Sequence, residues 1–107
     1  MQDRLAKLRS LEEHIRVAVV GVGSIGKGLV FQSTITPRIQ CVAIADISVE
    51  RAIACAEWLD LDYLVVDDLG SMHDAMRGGK LAVCESGMLC AQCDDVDVLV
   101  EATNSIL

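Results

Sequence analysis

Short apolar runs alternate with longer segments of mixed polarity along nearly the whole chain. Each run is rich in valine, alanine, isoleucine and leucine, and each is about as long as a buried β-strand. Most are bounded by glycine, proline or acidic residues, which are typical of turns. The runs that predict strands cover residues 15–20, 40–45, 63–66, 81–84 and 96–100.

The intervening segments carry apolar residues at helical spacing, and several begin with a residue that favours a helix N-terminus. Pro37 follows one of them and Gly78 another, as expected where helices end. The predicted helices cover residues 3–13, 24–35, 48–59, 72–77 and 86–92. This alternation predicts one α/β domain over residues 1–107, with a lead-in helix within 1–14 and a Rossmann-like parallel sheet flanked by helices.

Composition supports this class and excludes others. The chain is 52% apolar with one Trp, one Tyr and one Phe, which suits parallel strands buried on both faces. Its net charge of -7, without a basic stripe, argues against nucleic-acid binding. No apolar run is long enough to span a membrane, and the charged N-terminus lacks a signal-peptide core, so we expect a cytoplasmic protein.

Glycines at three fixed positions separate the first predicted strand from the helix after it. Gly21 allows a sharp turn, Gly23 leaves room for a pyrophosphate, and Gly26 lets the helix lie close to the strands. The helix begins near Ser24 and Ile25, so its free N–H groups and positive dipole end face the phosphates. The pattern predicts a dinucleotide site. The alternative is a tight strand–helix turn in another α/β domain, such as a methyltransferase or a flavoprotein.

An acidic residue at the expected distance strengthens the dinucleotide interpretation. Asp46 lies twenty residues after Gly26, at the end of the second predicted strand. Its carboxylate can accept hydrogen bonds from the adenosine ribose and would repel a 2′-phosphate. Ile47, rather than an arginine, follows it, so the sequence favours NAD slightly over NADP; Ser48 and Arg51 lie near enough to soften that preference.

Polar residues follow the last predicted strand. Ala102, Thr103, Asn104 and Ser105 stand where an open parallel sheet places its ligands, and they can reach the pyrophosphate or the nicotinamide ribose. The alternative is an ordinary loop in which Ser105 caps a following helix.

The remaining reactive side chains suggest little chemistry. Cys90 and Cys93 form a CxxC pair with Cys84 nearby, which would suit a zinc corner or a redox couple, but His14 and His73 are distant in sequence. We therefore predict free thiols and no metal site. No convincing pair of nucleophile and base is present, so no catalytic residue is predicted.

Three motifs together resemble the N-terminal domain of homoserine dehydrogenase-like NAD(P)-dependent oxidoreductases. They are VAVVGVGSIGKGL, VAIAD and DVDVLVEAT. More narrowly, the chain resembles the predicted homoserine dehydrogenases with a C-terminal SAF domain, a group that includes deoxyxylulose-phosphate reductoisomerase-like enzymes. The resemblance covers nearly the whole chain.

The resemblance implies roles for individual residues. The glycine motif with Ser24 and Ile25 would hold the pyrophosphate and Asp46 the adenosine ribose. Ala102, Thr103 and Asn104 would line the nicotinamide side, although many relatives have glycine in place of Asn104.

Members of this family are several times longer, and their substrate domain follows the segment where this sequence ends. The resemblance thus implies the N-terminal part of a longer enzyme, with the nicotinamide half of the sheet incomplete and no activity in this chain alone. That enzyme would transfer hydride to a small polar carbonyl substrate. The alternative is a non-catalytic module that senses redox state through a nucleotide, or one that forms a homo-oligomer through an exposed sheet edge or apolar face.

Overall fold

The computed structural model describes residues 15–102 of the 107-residue chain. The predicted lead-in helix, together with Thr103, Asn104 and Ser105, lies outside the described residues. Strands and helices alternate between Ile15 and Glu101. The strands are β1 Ile15–Val20, β2 Ile39–Ala45, β3 Tyr63–Val65, β4 Leu81–Cys84 and β5 Val98–Glu101. The helices are α1 Ser24–Ile35, α2 Val49–Trp58, α3 Leu69–Arg77 and α4 Gly87–Gln92.

All five strands form one parallel sheet in the order β3-β4-β2-β1-β5. The predicted α/β class and parallel sheet are confirmed. The chain proceeds from β1 to β2 and then to β3 at one edge, and β4 inserts between β3 and β2 before the chain crosses to the other side of β1 to form β5. The order of the strands therefore reverses between β1 and β5. In open sheets of this kind, a crevice opens at the carboxyl ends of the two strands that flank such a switch point.

Side chains alternate between two apolar layers because successive strand residues point to opposite faces. One face carries mainly small residues and packs against α3 and α4. The other face carries larger residues, such as Val19, Ile44 and Val83, and packs against α1 and α2. Helices therefore cover both faces, which explains why the strand sequences are almost continuously apolar.

Helix boundaries match the predictions closely, but not all of their capping does. Asp68 begins α3 and its side chain accepts a hydrogen bond of 2.7 Å from the Ser71 N–H. This helix starts at Leu69, earlier than predicted, because Asp68 provides the cap. Ser48 and Ser86 occupy the N-cap positions of α2 and α4, but neither side chain makes a capping hydrogen bond within the described residues.

The last strand differs from its prediction in both position and burial. It was expected to be buried over residues 96–100, but it covers Val98–Glu101 and lies at an edge of the sheet. The segment before it turns, with the Val96 N–H donating to the Cys93 carbonyl. Val98 and Leu99 remain 45% and 38% exposed because only β1 pairs with this strand in the described part of the chain.

A membrane-spanning helix would need both length and an apolar surface. Among residues 15–102, no helix combines the two sufficiently to cross a bilayer.

Candidate functional site

The ends of four strands line up along the carboxyl edge of the sheet. Val20 is in register with Ala45 of β2 and with Glu101 of β5, and Ala45 is in register with Cys84 of β4. The residues that follow these strand ends therefore lie along the same edge. They are Gly21, Asp46, Glu85 and Ala102. Sequence reasoning assigned three of them to a cofactor site, and the register brings those three to the same edge.

The turn after β1 has the backbone conformation that its glycine was predicted to provide. Gly21 has φ of 91°, a left-handed value that residues with a side chain rarely adopt. Its N–H donates to the Ala45 carbonyl at 2.7 Å, which keeps the turn close to β2. On the other side, the Ala102 N–H donates to the Val20 carbonyl at 2.7 Å. The loop is thus fixed between β2 and β5.

Gly26 lies where α1 passes closest to the strands. A Cβ built on this residue would come within 1.7 Å of the Gly21 carbonyl oxygen and within 3.6 Å of the Ala102 Cβ. Backbone cannot move away as the tip of a side chain can. The predicted role of Gly26, close approach of the helix to the strands, is confirmed.

Gly23 is open where Gly26 is crowded. It is the N-cap of α1, and no described atom lies within 4 Å of a Cβ built on it. The Lys27 N–H donates to the Gly23 carbonyl at 2.8 Å as the first bond of the helix. The N–H groups of Ser24, Ile25 and Gly26 come before that bond and have no acceptor inside the helix. Among residues 15–102, no side chain caps this helix end. Open space beside Gly23 and the free N–H donors of α1 therefore occur at the same helix end.

The basic residue of this first turn is directed to an aromatic ring. Lys27 Nζ lies 4.0 Å from the centre of the Trp58 ring, at cation–π distance. Phe31 packs against the same ring, with centroids 6.4 Å apart. Binding of an anion at the helix end would therefore depend on backbone N–H groups and the helix dipole rather than on this ammonium group.

Asp46 is more buried and more fully bonded than the sequence suggested. Its side chain is 3% exposed. One carboxylate oxygen accepts a hydrogen bond from the Val22 N–H at 2.9 Å, and the other accepts from the Ser48 N–H at 2.9 Å. Arg51 Nη1 lies 3.7 Å from the first oxygen. The carboxylate therefore connects the glycine-rich loop to the turn after β2.

The buried carboxylate leads to a stability prediction. We expect Asp46→Asn to lower the free energy of unfolding by about 1–3 kcal/mol, because the amide NH₂ would face a backbone N–H and leave that donor unsatisfied. Urea unfolding measures the change. Asp74→Asn, at an exposed position of α3, is the matched control and should shift stability by less than about 0.5 kcal/mol. Equal stability of Asp46→Asn and the unmodified chain would contradict the role assigned to the carboxylate.

Two clefts flank this edge of the sheet. One of about 470 Å³ lies at the ends of β3 and β4 and is lined by residues that include Val49, Cys84 and Met88. Another of about 260 Å³ lies beside the ends of β1 and β5, lined in part by Val20 and Leu99. The larger one falls within the size range of small-molecule sites. A further cavity of about 470 Å³ lies at the opposite edge of the sheet, away from the glycine-rich loop.

The fold also brings cysteines together. Cys90 was considered with Cys93 and with Cys84 nearby in sequence, and its Sγ lies 3.7 Å from the Sγ of Cys84. The hydrogen bond between these thiols lowers the pKa of Cys84 and raises that of Cys90.

A further grouping involves His73, which is distant in sequence from the CxxC pair. His73 Nδ1 hydrogen-bonds Oδ2 of Asp95, and both side chains are 31% exposed. The expectation that no histidine lies near Cys93 was wrong, because donor atoms of His73, Cys93 and Asp95 all lie within 4.8 Å of one another. Helix α3 and the loop before β5 are distant in sequence and adjacent in the fold.

A parallel sheet with a switch point, helices on both faces and a glycine-rich turn at the carboxyl edge define a Rossmann-like α/β domain. No protein-family model matches the chain, and a search of curated proteins finds no match. The site must therefore be interpreted from its own geometry.

Proposed function

We propose that this chain binds a nicotinamide dinucleotide, NAD or NADP, as the cofactor domain of an oxidoreductase resembling homoserine dehydrogenase. The observation that carries the proposal is the contrast between Gly26 and Gly23. Gly26 is glycine because the helix touches the turn after β1, while Gly23 has open space beside three helix N–H groups that have no acceptor among residues 15–102. A tight strand–helix turn alone explains why residue 26 is glycine, but it gives no reason for a glycine at position 23.

The pyrophosphate is the part of the ligand that this geometry suits best. It would accept hydrogen bonds from the N–H groups of Ser24, Ile25 and Gly26 at the positive end of the α1 dipole. A Cβ on Gly23 would occupy the space that the pyrophosphate needs. A chain with net charge -7 can hold such an anion, because the donors belong to the backbone.

Asp46 supports adenosine binding and a preference for NAD. Its carboxylate lies at the carboxyl end of β2, one strand away from the glycine-rich turn, as a ribose site requires. A 2′-phosphate next to a buried carboxylate would be repelled strongly, because burial reduces screening. Ile47 follows directly and is 89% exposed, which offers an apolar surface to an adenine ring.

The oxidoreductase part of the proposal rests on the resemblance. When bound, the nicotinamide would supply the hydride, and the domain would contribute position and electrostatics. Ala102 lies beside Gly26 at the end of β5, where the nicotinamide half would be held. Thr103 and Asn104 remain predictions from sequence. We assign no catalytic residue to this chain, and a substrate-binding domain would supply the groups that act on the small polar carbonyl.

A second candidate function is a non-catalytic module that associates with a copy of itself. The exposed apolar residues of the β5 edge favour it, as do those of α1, which are Ile25, Leu29, Phe31 and Ile35. Light scattering distinguishes the two candidates. A monomer that binds NAD supports the cofactor domain, while a stable dimer without nucleotide affinity supports the association module.

Calorimetric titration with NAD⁺, NADP⁺ and ADP tests the proposed function. We expect NAD⁺ to bind more tightly than NADP⁺, because of the charge on Asp46. ADP should retain measurable affinity, since it contains both the adenosine and the pyrophosphate. In Asp46→Asn the difference in affinity between NAD⁺ and NADP⁺ should become smaller. Failure of all three nucleotides to bind would contradict the proposal.

A further inference from the structure

We propose that His73, Cys93 and Asp95 form a zinc site at the amino edge of the sheet. The three side chains come from α3 and from the loop between α4 and β5, and their donor atoms lie within 4.8 Å of one another. This edge is opposite to the glycine-rich turn, so the site is independent of the proposed dinucleotide function.

The donor set matches the chemistry of zinc. Imidazole nitrogen, thiolate sulfur and carboxylate oxygen are the three donor types that Zn²⁺ prefers in proteins, whereas Mg²⁺ and Ca²⁺ select oxygen alone. Around a tetrahedral zinc ion these donors would be about 3.5 Å apart. The present separations therefore require side-chain shifts on the order of 1 Å.

The neighbouring arginine, Arg16, contacts Asp95 at only one of its two carboxylate oxygens. Arg16 makes its main ion pair with Asp97, through Nε and Nη2 at 3.1 Å each. It reaches only Oδ1 of Asp95, at 3.4 Å, while Oδ2 faces His73. Asp97 thus neutralises the arginine, and Oδ2 of Asp95 would exchange its hydrogen bond with His73 Nδ1 for a bond to the ion.

The sulfur donor is buried, while the other two donor groups reach solvent. Cys93 is 4% exposed, and its Sγ lies 4.0 Å from the Met76 Sδ. His73 and Asp95 are each about one-third exposed, so the ion can enter and a water molecule can complete its coordination. Binding would release the Cys93 thiol proton to solvent and connect α3 to the loop that precedes β5.

Zinc binding to the reduced chain tests the proposal, measured by competition with a chromogenic chelator and by metal analysis after dialysis. We expect one zinc ion per chain and a thiolate-to-metal charge-transfer band when Co²⁺ replaces zinc. Cys93→Ser should weaken zinc binding by at least about tenfold to a hundredfold, since even the loss of an outer-shell partner costs that much. Cys84→Ser is the matched control, because Cys84 is also buried but contacts Cys90 and is not one of the three proposed ligands. The zinc affinity of Cys84→Ser should equal that of the unmodified chain.

His73→Gln provides a second variant at a partly exposed helical position, in case Cys93→Ser does not fold. It too should lose affinity for zinc, with its circular dichroism spectrum unchanged. The proposal is overturned if the unmodified chain binds less than one zinc ion. It is also overturned if zinc affinity survives in both Cys93→Ser and His73→Gln, or if Cys84→Ser abolishes it. NAD⁺ affinity should be the same with and without zinc, so this result is separable from the proposed function.

Discussion

Gly26→Ala is expected to destabilise the domain by at least about 2 kcal/mol. The new Cβ would lie 1.7 Å from the Gly21 carbonyl oxygen and 2.8 Å from its carbonyl carbon. Overpacking typically costs about 1–3 kcal/mol, and the cost is greatest where backbone must move. A Gly→Ala change in a helix gains up to about 1 kcal/mol in propensity, which the clash must exceed. Urea unfolding followed by circular dichroism measures the difference.

Gly28→Ala is the matched control for this prediction. It makes the same substitution in the same helix two residues later, at an exposed position where no described atom lies within 4 Å of the new Cβ. Helix propensity alone should act there, so stability should rise by up to about 1 kcal/mol. The two substitutions should therefore change the free energy of unfolding in opposite directions. Equal effects would show that α1 does not lie against the β1 turn.

Gly23→Val is expected to remove dinucleotide affinity while leaving the fold intact. The valine side chain would enter open space at a residue whose φ is negative, at -72°, so no left-handed conformation has to be adopted. Stability should therefore change by less than about 1 kcal/mol, the usual size of an N-cap effect. The side chain would, however, occupy the volume next to the N–H groups of Ser24 and Ile25, which is the space proposed for the pyrophosphate.

The glycine-rich turn and the order of elements were predictable because they depend on local chemistry. The turn after the first strand needs a positive φ, which Gly21 provides. Strands and helices also differ clearly in the spacing of their apolar residues. The first strand and the first helix match their predicted bounds. In this part of the chain, the local preferences and the tertiary packing favour the same structure.

The burial of β5 and of Asp46 depends on contacts between distant segments. An apolar run such as DVDVLVE does not indicate whether its strand lies inside a sheet or at an edge, and the order of the strands decides that. Likewise, Asp46 is buried because the loop at Val22 folds over it. The grouping of His73 with Asp95 arises in the same way, since α3 and the last loop meet only after the sheet has formed.

The dissociation constant of NAD⁺ in Gly23→Val, compared with that in Gly28→Val, tests the proposed pyrophosphate position. Both variants add the same side chain to open positions of the same segment, and only Gly23 lies at the proposed pyrophosphate position. We expect Gly28→Val to bind NAD⁺ like the unmodified chain. Gly23→Val should bind NAD⁺ at least about a hundredfold more weakly, a loss of about 2.7 kcal/mol. Equal NAD⁺ affinity in the two variants, with both folded, would contradict that position.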